Sequence, residues 1–142
     1  MSIDIQNVTK YYGDQKALNK ISFKLKKGEI VAILGPNGAG KSTIMKIITC
    51  YLQQDSGIVK VCNLDTQKKD MLVKTRLGYL PEHNPLYKYM YIKEYLSFMG
   101  KIYKIDNLKD RITEIIKQTG LFSEKSKTIG SLSKGYQQRV GL

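Results

Sequence analysis

The residues with the clearest chemical meaning lie between positions 35 and 43. This segment follows the pattern G-x-x-x-x-G-K-[ST], in which a glycine-rich turn leads into a lysine and a hydroxyl residue. Glycines let the backbone bend until several N–H groups point into one concavity, which suits a phosphate group. The lysine can reach terminal phosphates, and the serine hydroxyl is placed to ligate Mg²⁺. The sequence therefore predicts a phosphate-binding loop, made of Gly35, Pro36, Asn37, Gly38, Ala39, Gly40, Lys41, Ser42 and Thr43.

The elements on either side of the loop must position it. The apolar run at 29–34, Glu-Ile-Val-Ala-Ile-Leu, is typical of a buried parallel strand. Residues 41–53 predict a helix whose N-terminus adds free N–H groups and a dipole to the anion site. Its apolar face is expected to carry Ile44, Ile47, Ile48 and Tyr51. A chance glycine-rich turn is the alternative, and it is disfavoured because strand, loop and helix occur in the required order.

Composition limits the class of protein. The chain has 142 residues, which suits one small domain or part of a larger one, and 42% of them are hydrophobic. A net charge of +12 favours either a nucleic-acid or anionic-membrane partner, or a solvated lysine-rich surface. The lysines are spread along the chain, which favours the solvated surface.

No apolar stretch approaches the ~20 residues of a membrane span, and the start lacks the features of a signal peptide. Cys50 and Cys62 fit no metal or disulfide spacing and are expected in the core.

Hydrophobic periodicity divides the chain further. Residues 2–34 contain short segments with period two, at 3–8 and 21–25, and strands are also predicted at 58–61 and 77–80. A short helix is predicted at 65–76. Residues 131–142 predict a helix with Ser133 as its N-cap. Beyond Pro85, apolar residues recur at helical spacing, namely Ile92, Tyr95, Leu96, Met99, Ile102 and Tyr103, then Leu108, Ile112, Ile115 and Ile116.

The segment 132–142, Leu-Ser-Lys-Gly-Tyr-Gln-Gln-Arg-Val-Gly-Leu, resembles the signature motif of the ATP-binding cassette (ABC) ATPases. The opening around Tyr12-Gly13 and Ala17-Leu18 is also similar to that family, as is Gly-Tyr-Leu-Pro-Glu at 78–82, where the family has its switch loop. Together with the phosphate loop, these motifs cover the whole chain in the family's order. Residues 78–87 are most similar to export-type cassettes, and among them to the gliding-motility ABC ATP-binding subunits.

The resemblance implies an α/β fold, that of a P-loop NTPase cassette. A β-rich part and the P-loop core would occupy residues 1–83, a helical subdomain residues 84–131, and the start of the signature helix residues 132–142.

The resemblance also implies roles around the nucleotide. Tyr12 would stack on the adenine ring, because an aromatic face accepts a base without a hydrogen-bond code. Tyr11 is the competing candidate, and a core position for Tyr12 is the other alternative. Lys41 and Glu82 would be the catalytic residues, with Lys41 acting on the phosphates, and Ser42 and Glu82 would be metal ligands. Glu82 stands where the family more often has a Gln that senses the γ-phosphate, and a carboxylate there can still ligate Mg²⁺.

A second set of roles falls on the signature motif. Ser133 and Gly135 would contact the γ-phosphate of ATP bound to a second cassette. The motif departs from the family's Leu-Ser-Gly-Gly-Gln at Lys134, which adds a positive charge, and at Tyr136, which removes an amide. His83 is expected to be an exposed loop residue and not the family's switch histidine.

The implied cofactors are ATP and Mg²⁺, and the implied partners are a membrane-spanning permease subunit and a second ABC cassette, with no nucleic acid. ATP hydrolysis by the complete protein would drive transport, at the cytoplasmic face of the cell membrane, with residues 84–100 docking on the permease. The family's Mg²⁺-associated Asp, catalytic Glu and switch His would follow Leu142, so the chain is expected to be a fragment with little hydrolysis. A soluble ABC-type ATPase acting on nucleic acid or ribosomes, and a non-hydrolytic ATP-binding remnant, are the alternatives.

Overall fold

A four-stranded antiparallel sheet is the frame of the N-terminal part in the computed structural model, which describes residues 2–142. The sheet order is β2-β1-β3-β4, with β1 at Ile3–Tyr12, β2 at Gln15–Leu25, β3 at Ser56–Val61 and β4 at Leu64–Asp65. The strands predicted at 3–8, 21–25 and 58–61 are therefore confirmed. The chain divides into two units, of which the first ends at Tyr79 and the second runs from Leu80 to Leu142.

Two helices complete the core of the first unit, α1 at Lys41–Ile48 and α2 at Asp70–Lys74. Their apolar side chains pack with those of the sheet, and the buried cluster consists of Ile5, Val8, Leu18, Ile44, Ile47, Ile48, Val59, Val61 and Val73. The helix α1 is shorter than predicted because Cys50, with φ of 58°, turns the chain after the Thr49 C-cap. Tyr51 is consequently outside the helix and 73% exposed, so its predicted place on the apolar face of the helix is wrong.

The segment 29–34 was predicted to be a buried strand, and this prediction is wrong. Ile30 is fully exposed and Leu34 is 89% exposed, and no strand within residues 2–142 pairs with this segment. A strand forms only where a neighbour satisfies its backbone N–H and C=O groups. All pairings of the described sheet are antiparallel and use other residues.

Three further predictions for the first unit differ from the structure. Residues 77–80 form no strand, and the helix predicted at 65–76 is reduced to α2. Cys62 is exposed in the β3–β4 turn, so its predicted core position is wrong.

The second unit is helical. It contains α3 (Ile92–Ile102), α4 (Leu108–Gln118) and α5 (Lys134–Gly141), with 3-10 turns at Phe122–Glu124 and Ile129–Ser131. Its buried core consists of Ile92, Ile116, Leu121, Ile129, Leu132 and Val140. The helices α3 and α4 pack closely, since Gly100 lies directly against the Leu108 side chain. The spacing predicts Tyr103 on the apolar face of α3, but Tyr103 is the C-cap of this helix and is exposed, so this prediction is wrong. Among the helices of residues 2–142, none is both long and apolar enough to cross a membrane.

Candidate functional site

The predicted phosphate loop is an exposed turn that leads directly into α1. Gly38 and Gly40 have φ of +82° and +85°, in the left-handed region that side-chain-bearing residues rarely adopt. The Ala39 amide donates to the Pro36 carbonyl at 3.3 Å, which closes the turn. Gly40 is the N-cap of α1, and its carbonyl accepts from the Ile44 amide at 2.9 Å. The loop therefore places the free N–H groups of the first helical turn beside its own backbone, as an anion site requires.

The Lys41 side chain folds back over the loop. Its ammonium donates to the carbonyls of Gly35 at 2.7 Å and Pro36 at 2.6 Å. The next residue, Ser42, is exposed in the first turn of α1, and Thr43 is half-buried. An ammonium and a free hydroxyl are thus held at the same end of the helix, where a phosphate and its metal would need them.

The loop packs closely against β2. A Cβ atom on Gly40 would lie 2.6 Å from the Ala17 carbonyl oxygen and 2.6 Å from Leu18 Cδ2. These distances are well below van der Waals contact, so this position has room only for a glycine. The contact joins the phosphate loop to the hairpin formed by β1 and β2.

That hairpin carries both candidate aromatic residues. Tyr12 pairs with Gln15, and Tyr11 with Lys16, immediately before Ala17. The Lys16 ammonium lies 5.4 Å from the centre of the Tyr11 ring, so this ring already has a cationic partner. Tyr12 has 48% of its surface exposed and is not a core residue. The fold therefore brings Tyr12 and the phosphate loop into one region, although they are more than twenty residues apart.

A carboxylate that the sequence analysis did not single out anchors the end of β1. Asp55 accepts hydrogen bonds from the Lys10 ammonium at 2.8 Å and from the Tyr11 amide at 2.6 Å. The Lys10 ammonium first, and then the Tyr11 amide, lower the pKa of the Asp55 carboxyl below its ordinary value. The group is therefore ionised at neutral pH. The only local signal for it is the turn sequence Asp-Ser-Gly at 55–57, because the partners lie about 45 residues away.

The signature segment lies in the second unit. Ser133 is the N-cap of α5, and its hydroxyl accepts from the Tyr136 amide at 3.4 Å, which confirms the predicted cap. Gly135, in the first turn, is exposed and has open space around it. The Gln137 side-chain amide donates to the carbonyls of Ile129 at 3.2 Å and Leu132 at 3.1 Å, which fixes the segment before the helix.

Glu82 and His83 are both exposed, as expected for His83. They line an open polar pocket of about 490 Å³ within the second unit, together with Asn84, Lys88, Lys134, Gln137 and Gln138. The two predicted metal ligands, Ser42 and Glu82, belong to different units. The predicted site residues thus form two groups, the loop and hairpin in the first unit and the signature segment with Glu82 in the second.

A family profile described as ABC transporter matches residues 18–142. The chain belongs to the ABC transporter family. The matched residues include the phosphate loop and the signature segment, so the resemblance to ABC ATPases is confirmed at the level of the family.

Individual relatives are ATP-binding proteins of ABC transporters. NatA of Bacillus subtilis, an ABC transporter ATP-binding protein, is 36% identical over 130 residues, which cover 89% of this chain and 53% of NatA. The linearmycin resistance ATP-binding protein LnrL of Bacillus subtilis is 34% identical over 142 residues, covering 99% of this chain and 46% of LnrL. This ABC chain therefore spans about half the length of these curated relatives.

The fold agrees with the family. A solved ATP-binding cassette, a dimer in a post-hydrolysis state bound to ADP and Pi, matches with a TM-score of 0.80 and 29% identity. The match covers 98% of this chain and 66% of that one. The chain therefore has the α/β fold of an ABC cassette, as predicted.

Proposed function

We propose that this chain is the nucleotide-binding part of an ABC transporter ATPase subunit and binds Mg-ATP at residues 35–43. The observation that carries the proposal is the loop itself, with the Lys41 ammonium already held over it by two carbonyls. The residues present fit the ligand, since the loop offers backbone N–H groups, an ammonium and a free hydroxyl. When bound, Mg²⁺ neutralises charge on the β- and γ-phosphates.

Each part of the first unit has a task in this proposal. The loop amides and the N-terminus of α1 bind the phosphates. Lys41 exchanges the carbonyls of Gly35 and Pro36 for phosphate oxygens, and Ser42 ligates the metal. Tyr12 stacks on adenine, a role favoured over Tyr11 because the Tyr11 ring is already next to Lys16.

Titration calorimetry tests whether the ligand is a nucleotide. We expect one Mg-ATP per chain, displaced by ADP and by inorganic tripolyphosphate, because the phosphates supply most of the recognition. A short RNA at physiological ionic strength should not compete. Competition by RNA without competition by tripolyphosphate would contradict the proposal.

The second unit contributes to a site shared between cassettes in the complete protein. We propose that Ser133 and Gly135, at the N-terminus of α5, contact the γ-phosphate of ATP held by a second cassette. Lys134 adds a positive charge at this position. Glu82 takes the place of the family's Gln that senses the γ-phosphate. Hydrolysis by the complete protein then drives transport through a membrane permease, and the similarity of residues 78–87 to export-type and gliding-motility cassettes supports export.

Hydrolysis by the 142-residue chain should be no faster than that of its Lys41→Ala variant. The resemblance assigns no residue of the printed sequence to the family's Mg²⁺-associated Asp or to its catalytic Glu, and a P-loop enzyme needs both functions. The measurement is phosphate release from Mg-ATP by the purified chain. Clear Lys41-dependent release would show that a group within the chain orients water, and Glu82→Gln would then identify or exclude Glu82.

The proposed permease-docking surface lies on α3 and the segment before it. An open groove of about 660 Å³ there is lined by Tyr89, Met90, Lys93, Glu94, Ser97, Phe98 and Lys101. The Tyr87 ring contacts those of Tyr89, Tyr95 and Phe98, with centroid separations of 6.1, 6.2 and 5.7 Å. Aromatic residues with partly exposed faces are common anchors of protein interfaces.

Tyr89→Glu should abolish co-purification with the permease while leaving Mg-ATP binding unchanged. Tyr89 is 78% exposed, so the change alters the surface and not the core. Leu86 is unsuitable for this experiment because it packs against the buried cluster of its unit. Lys109→Met, on the exposed face of α4, is the control for the change of charge, because it also alters the net charge by −1.

The same variants distinguish the transporter hypothesis from the alternative of a nucleic-acid partner. If the net charge of +12 serves RNA, the affinity for RNA should fall steeply with salt, and Lys109→Met should weaken it about as much as Tyr89→Glu does. Salt-sensitive RNA binding without recovery of a permease would overturn the transporter proposal.

A further inference from the structure

At the end of β1, a side-chain carboxylate bonds to the strand on the side where the pairing with β3 has ended. On the β3 side, the ladder ends at the pair Thr9–Ser56. On the β2 side, the register shifts between Val8 and Lys10 and again between Lys10 and Tyr11. Within the described sheet, the last residues of the strand, which include the proposed adenine platform Tyr12, therefore pair with β2 and have no partner in β3.

Asp55 supplies the missing contacts with both of its oxygens. Oδ1 accepts from Lys10 Nζ at 2.8 Å, and Oδ2 accepts from the Tyr11 amide at 2.6 Å. Both bonds are short and charge-assisted, which makes them stronger than neutral hydrogen bonds. They fix the two residues that directly precede Tyr12.

The crossing of β1 and β3 itself does not need this carboxylate. The Asp55 amide donates to the Thr9 carbonyl at 3.0 Å, and this backbone bond is independent of the side chain. Gly57 lies so close to β1 that a Cβ atom would be 2.6 Å from the Gln6 carbonyl oxygen and 2.5 Å from that of Asn7. The sheet is therefore fixed by backbone packing up to Thr9, and the carboxylate acts only beyond that point.

We propose that Asp55 is a positioning residue for base recognition, which holds Tyr12 at the correct place relative to the phosphate loop. The inference rests on the proposed function, because it assumes that ATP binds at the loop and that Tyr12 stacks on adenine. The other anchor of the hairpin is the contact between Ala17 and Gly40 at the loop. Asp55 fixes the same hairpin from the opposite side of β1, so base and phosphate subsites are held at a set separation.

The test compares a ligand that has a base with one that has none. Mg-ATP and Mg-tripolyphosphate are titrated into the whole chain, its Asp55→Asn variant and its Asp70→Asn variant. An asparagine has one acceptor oxygen where the carboxylate has two, so it can satisfy only one of the two donors. We expect Asp55→Asn to weaken Mg-ATP about fivefold, near the low end of a lost base–aromatic stack, and to change tripolyphosphate less than about twofold.

Asp70→Asn is the matched control, since Asp70 forms an exposed ion pair with Lys74 at 3.4 Å on α2. Neither ligand should bind it differently from the wild type. Lys10→Met removes only one of the two contacts of Asp55 and should give a smaller loss of affinity that is equally selective for Mg-ATP. It therefore tests the proposal even if Asp55→Asn folds poorly. In a Tyr12→Leu background, Asp55→Asn should cause no further loss for Mg-ATP.

The outcomes separate this inference from the proposed function. Equal weakening of both ligands in Asp55→Asn and Lys10→Met, or no weakening of either, would overturn the positioning role while ATP binding stands. Full additivity with Tyr12→Leu would also overturn it. Wild-type binding that does not depend on Lys41 would defeat the proposed function and the inference together.

Discussion

Lys41→Ala should remove the thermal stabilisation that Mg-ATP gives to the chain. A ligand at 100 times its dissociation constant stabilises the folded state by about 2.7 kcal/mol. In the wild type, the Lys41 ammonium lies over the loop and donates to the carbonyls of Gly35 and Pro36, and the variant lacks this ammonium. Differential scanning fluorimetry with and without Mg-ATP measures the shift directly, because the unliganded variant serves as its own baseline.

Lys46→Ala controls for the loss of a positive charge. Lys46 is an exposed residue in the last turn of the same helix, so it has the same charge at the end distant from the loop. Its variant should keep the full shift. An unchanged shift in Lys41→Ala would mean that the nucleotide binds elsewhere, and equal losses in both variants would indicate a general electrostatic effect.

The parts of the fold that were predicted correctly depend on local sequence. The loop, the helix after it and the Ser133 cap each follow from residues within a few positions of one another. The same holds for β1 and β2, whose period of two is visible in the chain. Local rules suffice where the backbone N–H and C=O groups of an element find hydrogen-bond partners within the element or in a hairpin neighbour.

The incorrect prediction at 29–34 arose from a non-local requirement. The apolar run from Ile30 to Leu34 has the composition of a buried strand, but composition does not supply a partner for its backbone. Pairing decides whether such a run becomes a strand, and the described sheet gives it none. Tyr51 shows the same limit on a smaller scale, because the turn at Cys50 ends the helix that its spacing had suggested.

Asp55 illustrates why a site residue can be invisible in the sequence. Its side chain bonds to Lys10 and to the Tyr11 amide, 45 and 44 positions away. An Asp before Ser-Gly is a common turn residue, so the local pattern suggests only a loop. The contact exists because β3 runs antiparallel to β1 and begins where β1 approaches its end, which is information that only the topology contains.

Gly40→Ala should destabilise the first unit far more than Gly38→Ala, although both glycines belong to the same loop. The two residues have nearly equal φ, +82° and +85°, so each substitution has the same conformational penalty of about 1 kcal/mol. At Gly38 an added Cβ meets nothing within 4 Å, whereas at Gly40 it would lie 2.6 Å from the Ala17 carbonyl oxygen. Overpacking of this kind costs about 1–3 kcal/mol more.

Urea denaturation of the two variants measures this difference, with stability losses of about 1 kcal/mol expected for Gly38→Ala and about 2–4 kcal/mol for Gly40→Ala. A loss of the larger size is a substantial fraction of the stability of a small domain. Mg-ATP affinity should fall with it, because relief of the clash moves the loop away from the hairpin that carries Tyr12. Equal losses in the two variants would mean that the loop can shift freely from Ala17. The close approach of Gly40 to β2 would then not be what sets the distance between the phosphate loop and the proposed base platform.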